Sequence, residues 1–154
     1  MENTIFETSS RTIMAKANNN ELVGENLIRR IKYQNMEIVY VDFSHIRNQE
    51  KVYQAMDYAA SYIRRQLPRS IYILTNITGM YFNTDIFNRI SVYAKQNSPY
   101  VKGSAVVGMS GLMQIFYNNF SRISGREVKA FFSEAEAKEF LLNKQLAENL
   151  KIAQ

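Results

Sequence analysis

The sequence predicts an α/β domain: a mixed, mainly parallel five-stranded sheet with four helices, in the order β-β-α-β-α-β-α-β-α. Three observations carry this expectation. Short, almost unbroken apolar runs at 38–43, 71–75 and 105–109 have the pattern of strands covered on both faces, as strands of parallel sheets are. The segments between them place apolar residues at steps of three and four and are long enough for crossover helices. Turn and stop residues separate the two kinds of segment, among them Gln34-Asn35, Pro68, Gly79, Pro99 and Gly125.

Residues 1–25 form a polar lead with Asn18-Asn19-Asn20 and Gly24, expected to be mobile unless a partner or the body pins it. The single domain is expected over 26–144, with 145–154 as a helical extension or tail. From Leu27 to Tyr33 apolar and basic residues alternate, Leu27, Arg29 and Ile31 on one face against Ile28, Arg30 and Lys32 on the other. A turn at Gln34-Asn35 leads into the strand 37–43, which makes a hairpin whose outer strand is an edge. Basic residues at 29, 30 and 32 are what such an edge uses against pairing with another chain.

Asn48 is placed as an N-cap, and Val52, Met56, Ala59, Ile63 and Leu67 give a buried stripe until Pro68. The strand 70–75 follows, then a loop through Gly79 and a helix from about Thr84 with Ile86, Phe87, Ile90 and Tyr93 facing inward. Pro99 closes that unit. The strand 105–109 passes through Gly108-Met109-Ser110-Gly111 into a helix whose stripe is Leu112, Ile115, Phe116, Phe120 and Ile123, with Gly125 as its C-terminal stop. A last strand covers 127–132. Ser133 and Glu136 form a capping box for a final helix to about Lys144 or beyond. Four helices over two faces imply helices on both sides of the sheet, or a dimer that covers the barer one.

At 154 residues, with 46% apolar, 12% aromatic and 21% charged residues, the chain can bury a core without staples. Zero cysteines exclude disulfides, thiolate metal sites and cysteine nucleophiles, and fit a reducing compartment. The polar start lacks the apolar core of a signal peptide, and no apolar run reaches the length of a membrane span. The chain is therefore read as cytoplasmic. The net charge of +5 is concentrated between residues 76 and 132, where six bases face two acids. Arg89, Lys95, Lys102, Arg122, Arg126 and Lys129 are spread out with no interleaved stacking aromatics, so a solvated basic surface is expected and no nucleic-acid partner.

No motif names a chemistry. Gly108-Met109-Ser110-Gly111 could offer backbone amides to an anion, yet it is neither a nucleotide fingerprint nor a nucleophile elbow, and Ser110 reads as a cap. His45 is the only histidine and reads as a loop residue after the second strand. Asp42 and Asp57 lack the paired partner that acid/base work requires. No catalytic residue, cofactor or metal ligand is assigned. In an open parallel sheet a ligand or partner crevice lies beyond the carboxyl ends of the strands. Ser44, His45, Asn76, Thr78 and Ser110 are at those ends, with Thr84 at the start of the following helix. Tyr53, Tyr58, Tyr62, Tyr81, Phe82 and Tyr117 are more aromatic than core stripes require; core packing is expected to account for most of them, with some as contact residues for a partner.

From Leu27 to Leu142, about three quarters of the chain, the sequence resembles the SpoIIAA-like branch of the STAS superfamily, also described as STAS/Sec14-like. The residues that carry the resemblance are Val39-Tyr-Val-Asp-Phe-Ser44, Leu74-Thr-Asn-Ile-Thr-Gly79, Pro99-Tyr-Val-Lys-Gly-Ser-Ala-Val-Val-Gly108 and Ser124-Gly-Arg-Glu-Val-Lys-Ala-Phe131. The resemblance implies a small, non-catalytic interaction or regulatory domain, in some members switched by phosphorylation at the helix after the central strand. This chain departs from that switch: the segment reads Gly79-Met-Tyr-Phe-Asn-Thr-Asp85, and Thr84 followed by Asp85 reads as an N-cap with a favourable first-turn acid. The leading expectation is a protein-interaction module with a protein partner or a second copy. A carrier of lipid or another small apolar ligand is the alternative, which would require a cavity between sheet and helices. An enzyme using the strand-end crevice ranks last.

Overall fold

The computed structural model describes residues 26–124 and 127–153; the polar lead expected over 1–25 and the stop expected at Gly125 lie outside them. Its elements are β1 (Ile28–Tyr33), β2 (Met36–Asp42), α1 (Gln49–Arg64), β3 (Ile71–Asn76), α2 (Thr84–Asn97), a short 3-10 turn (Ser98–Tyr100), β4 (Val101–Val107), α3 (Gly111–Ser124), β5 (Lys129–Phe131) and α4 (Glu134–Ala153). The sheet order is β1-β2-β3-β4-β5, antiparallel between β1 and β2 and parallel elsewhere. The predicted α/β architecture is thus the observed one.

The hairpin forms where the sequence places it. Gln34 and Asn35 both take positive φ, 50° and 67°, which matches the twist of the two strands and sets Tyr33 opposite Met36. Leu27 lies before β1 and packs on the α1 side with Ile28, so the predicted grouping with Arg29 and Ile31 does not hold for it. The edge arginines do more than repel another chain. Arg29 lies 4.7 Å over the Tyr40 ring, while Arg30 pairs with Glu37 at 2.6 Å and donates to the Tyr62 hydroxyl and to Gln66 Oε1.

In β2, β3 and β4 every second side chain faces the same layer. Val39, Val41, Ile71, Ile73 and Val106 point to α1, α2 and α3, whereas Ile38, Tyr40, Tyr72, Leu74, Ala105 and Val107 point to α4. Helices therefore cover both faces, three on one and one on the other. Asn48 caps α1 by accepting from the Lys51 amide at 2.9 Å, and α1 buries Val52, Ala55, Met56, Ala59, Ala60 and Ile63. Leu67 is not part of that stripe: the helix stops at Arg64, and Leu67 is 77% exposed in the turn that Arg69 closes with positive φ.

Three other expectations are corrected. The cap of α2 is Asn83, whose Oδ1 accepts from the Ile86 amide at 2.9 Å, so Thr84 is the first helical residue. Strand β4 begins at Val101, because pairing of Val101 with Ile71, and of Gly103 and Ser104 with Tyr72 and Ile73, carries the ladder past Pro99. It ends at Val107, since Gly108 turns the chain with φ +89° against Thr78; a Cβ there would clash with Thr78 Oγ1 and the Thr78 backbone. In α3 the buried face holds Met113 and Phe120, while Leu112 is exposed and Ile115 is 69% exposed. The side chain of Ile123, also expected on that stripe, lies outside the description.

The lone helix on the second face is fastened by polar contacts as much as by burial. Ser133 Oγ accepts from the Glu136 amide at 3.2 Å, the predicted cap, and α4 continues without Gly or Pro to Ala153, so residues 145–153 are helix. Only Ala137 and Leu141 are fully buried along it. Three strand tyrosines donate to its glutamates: Tyr33 to Glu139, Tyr40 to Glu134 at 2.5 Å and Tyr72 to Glu148 at 2.7 Å. Burial, with the adjacent Glu134 second, pushes the Tyr40 phenol up to about 12, and burial, with Glu148 second, pushes Tyr72 above the ordinary phenol value. Both groups keep their protons in the folded chain where the unfolded chain has lost them. Their contribution to stability is complete below about pH 10 and falls as the pH rises towards about 12. The thermal midpoint should drop through that window, and Tyr40→Phe, with a lower starting midpoint, should show a shallower drop in alkaline melts.

Candidate functional site

The strand ends prove to be occupied by their own turns. Asp42 Oδ1 accepts from both the amide and the hydroxyl of Ser44, and Asn76 Oδ1 accepts from the amide and hydroxyl of Thr78 at 3.0 and 2.7 Å. These are local turn-forming bonds. His45 sits in the loop after β2 with φ 60°, and its amide donates to the Thr78 carbonyl at 2.8 Å. Asn76 Nδ2 donates to the Tyr40 hydroxyl at 3.1 Å, which joins this end of the sheet to Glu134. Ser110 Oγ accepts from the Met113 amide at 3.3 Å, the expected cap. Thr84 is exposed at the first turn of α2. Of the six predicted residues, Ser44, His45, Asn76 and Thr78 are tied together through the β2 and β3 loops; Ser110 and Thr84 serve their own helices. None of the six lines the cavity described next.

A partly open cavity of about 120 Å³ lies between the sheet and α1–α3. Ile73, Thr75, Ser104 and Val106 form its floor; Phe87, Ile90, Asn97, Phe116 and Phe120 its roof; and Ile77, Met80, Phe82 and Met109 lie toward the strand carboxyl ends. It therefore begins where the strand-end rule points and runs inward beneath the helices. Its aromatic wall is continuous: Phe116 contacts Phe82 and Phe87 at ring separations of 5.4 and 4.9 Å. No charged side chain lines it among the described residues.

Two residues of this apolar lining each carry a buried polar atom without a partner. Asn97 is 0% exposed and Ser104 6% exposed, and neither Asn97 Nδ2 nor Ser104 Oγ has a hydrogen-bond partner among the described residues. A buried polar atom without a partner costs roughly 1–3 kcal/mol. The Asn97 oxygen is differently placed, since Arg64 Nε donates to it at 3.2 Å. The sequence contained a signal for both residues. Asn97 continues the inward steps of Ile86, Ile90 and Tyr93 along α2, and Ser104 adjoins the apolar run of β4.

The surplus aromatics largely serve the body. Tyr53 lies under Arg89 at 4.1 Å, Tyr62 accepts from Arg30, and Tyr117 donates to the Val128 carbonyl at 2.7 Å and accepts from the Ala130 amide, joining α3 to the β5 segment. Phe82 lines the cavity, and Tyr58 and Tyr81 remain exposed. Asp57, read as isolated, pairs with Arg89 at 2.8 Å. The described residues contain no group of His, Asp or Glu side chains able to hold a metal ion, and no helix long and apolar enough to cross a membrane. No protein-family model matches the chain, and no curated protein or solved structure matches it either.

Filling the cavity from its floor measures what the gap costs in stability. Ser104→Val removes an unpaired hydroxyl, adds apolar volume and suits a strand. It should raise the unfolding free energy by about 1 kcal/mol in urea titrations.

Proposed function

We propose that this chain is a STAS/Sec14-like binding domain that takes a small apolar molecule into the cavity between its sheet and α1–α3, without catalysing a reaction on it. The single observation that carries the reading is an apolar cavity two of whose lining residues, Asn97 and Ser104, each carry a buried, unpaired polar atom. A protein stabilised for packing alone would fill that space or pair those atoms. A dry apolar cavity of roughly 150 Å³ accepts benzene, so about 120 Å³ suits a body near the size of one aromatic ring. Met80, Met109 and Met113 add adaptable side chains that can admit and fit such a body. The strand-end polar groups, engaged in their own turns, support a binding role over a chemical one.

The methionine methyls are built-in reporters of this reading. In methyl NMR spectra of the full chain, toluene should shift the Met80, Met109 and Met113 signals saturably and leave Met36, packed on the α4 side, in place. Lack of any saturable shift at the three cavity methionines would exclude the reading.

A second reading, a module that pairs with a second copy, draws on Leu146 and Leu150, which are exposed four residues apart on the last turns of α4. Sedimentation equilibrium should then give a dimer that Leu146→Glu dissociates. A concentration-independent monomer mass would dismiss self-pairing.

A further inference from the structure

Resting on the cavity reading above, we infer that Asn97 and Ser104 form a hydrogen-bonding anchor for an uncharged oxygen acceptor. The ligand class is then a small apolar body bearing one neutral carbonyl or hydroxyl oxygen.

The argument begins with Arg64. A guanidinium carries only donors, so the atom of Asn97 that Arg64 Nε approaches at 3.2 Å is the amide oxygen. The other end of Arg64 is held by Gln96, whose Oε1 accepts from Nη2 at 2.7 Å. This pair of contacts fixes the sense of the Asn97 amide. Its oxygen is engaged by the cation, and its NH₂ group is the unpaired end in a residue that lines the cavity. Ser104, on the β4 floor opposite Ile73, adds a hydroxyl that can donate or accept.

What such a site accepts follows from desolvation. A pure hydrocarbon leaves the Asn97 donors unpaired, so it fills the space and gains nothing from the polar end. A carboxylate or an ammonium must shed its hydration among apolar side chains with no opposite charge in the lining, which is heavily penalised. Arg64 does not relieve the carboxylate, because it is not among the lining residues and its bonds run to the Asn97 oxygen and to Gln96. A neutral oxygen acceptor meets the donors without bringing a buried charge. The arrangement resembles sites that discriminate strongly against an analogue lacking the hydrogen-bonding group.

Three near-isosteric probes test this on the full chain: ethylbenzene, acetophenone and benzoate, each titrated by the cavity methionine methyl signals. Acetophenone should bind, and benzoate should bind weakest of the three. The ratio of the ethylbenzene Kd to the acetophenone Kd should fall about tenfold in Ser104→Ala and in Asn97→Asp, the worth of one lost hydrogen bond. Asn97→Asp keeps the shape and the contact with Arg64 but removes the NH₂ donor; should its buried carboxylate prevent folding, the near-isosteric Ser104→Ala still decides the matter. A ratio unchanged in the folded variants overturns the anchor while leaving the cavity reading in place. Tightest binding of benzoate overturns the neutral-ligand class. Failure of all three probes to shift the methyls overturns the cavity reading itself, and the anchor with it.

Discussion

Three strands, β2, β3 and β4, have to be covered on both faces, and the rest of the molecule is organised by that requirement. Their buried side chains alternate between two apolar clusters, so neither face can be left to water. Parallel pairing requires crossovers, and the α1 and α2 crossovers, together with α3, cover one face. The other receives only α4, whose buried apolar contribution is small. Tyrosine hydroxyls meeting glutamates make up part of that difference, which explains why the back of this sheet is so rich in tyrosine.

The three-helix face shows the converse problem. Three helices spread over the sheet leave a gap beneath α2 and α3, walled by phenylalanines that touch edge to face or at a tilt. Such a gap is tolerable where it is purely apolar; here two of its lining residues also carry an amide nitrogen and a hydroxyl without partners. On the proposed reading, stability and binding pull in opposite directions at Ser104, where a valine would suit the strand and a serine suits a ligand.

Local chemistry was legible in the sequence, and long-range chemistry was not. The Gln34-Asn35 turn, the Asn48 cap, the Ser110 cap and the Ser133 cap were read correctly because each depends on bonds spanning a few residues. Leu67, Leu112 and Ile115 were misassigned to the core because helical spacing alone does not say where a helix stops or which face meets the sheet. Asn83 was overlooked beside Thr84, two capping residue types in succession. The strand-end rule pointed to the end of the sheet at which the cavity begins but favoured polar residues, whereas the cavity is lined by apolar ones and by two polar residues buried within the core. Asn97 was visible as a polar residue continuing an apolar stripe, and Ser104 as one adjoining an apolar run. Their meaning depended on a tertiary gap that no spacing reveals.

The register of the ladders also bears on how such a chain reaches its fold. Tyr33 pairs with Met36 across a two-residue turn, but the parallel ladders join Val39 to Ile73, Ile71 to Val101 and Ala105 to Lys129. Each of those must close a long loop before any hydrogen bond repays the lost chain entropy. The hairpin is the one strand pair that forms cheaply, and β2, which belongs to both the hairpin and the parallel array, is the template on which β3 and then β4 can add. Helix α4, anchored to side chains on β1, β2 and β3, finds its complete docking surface only after that array exists.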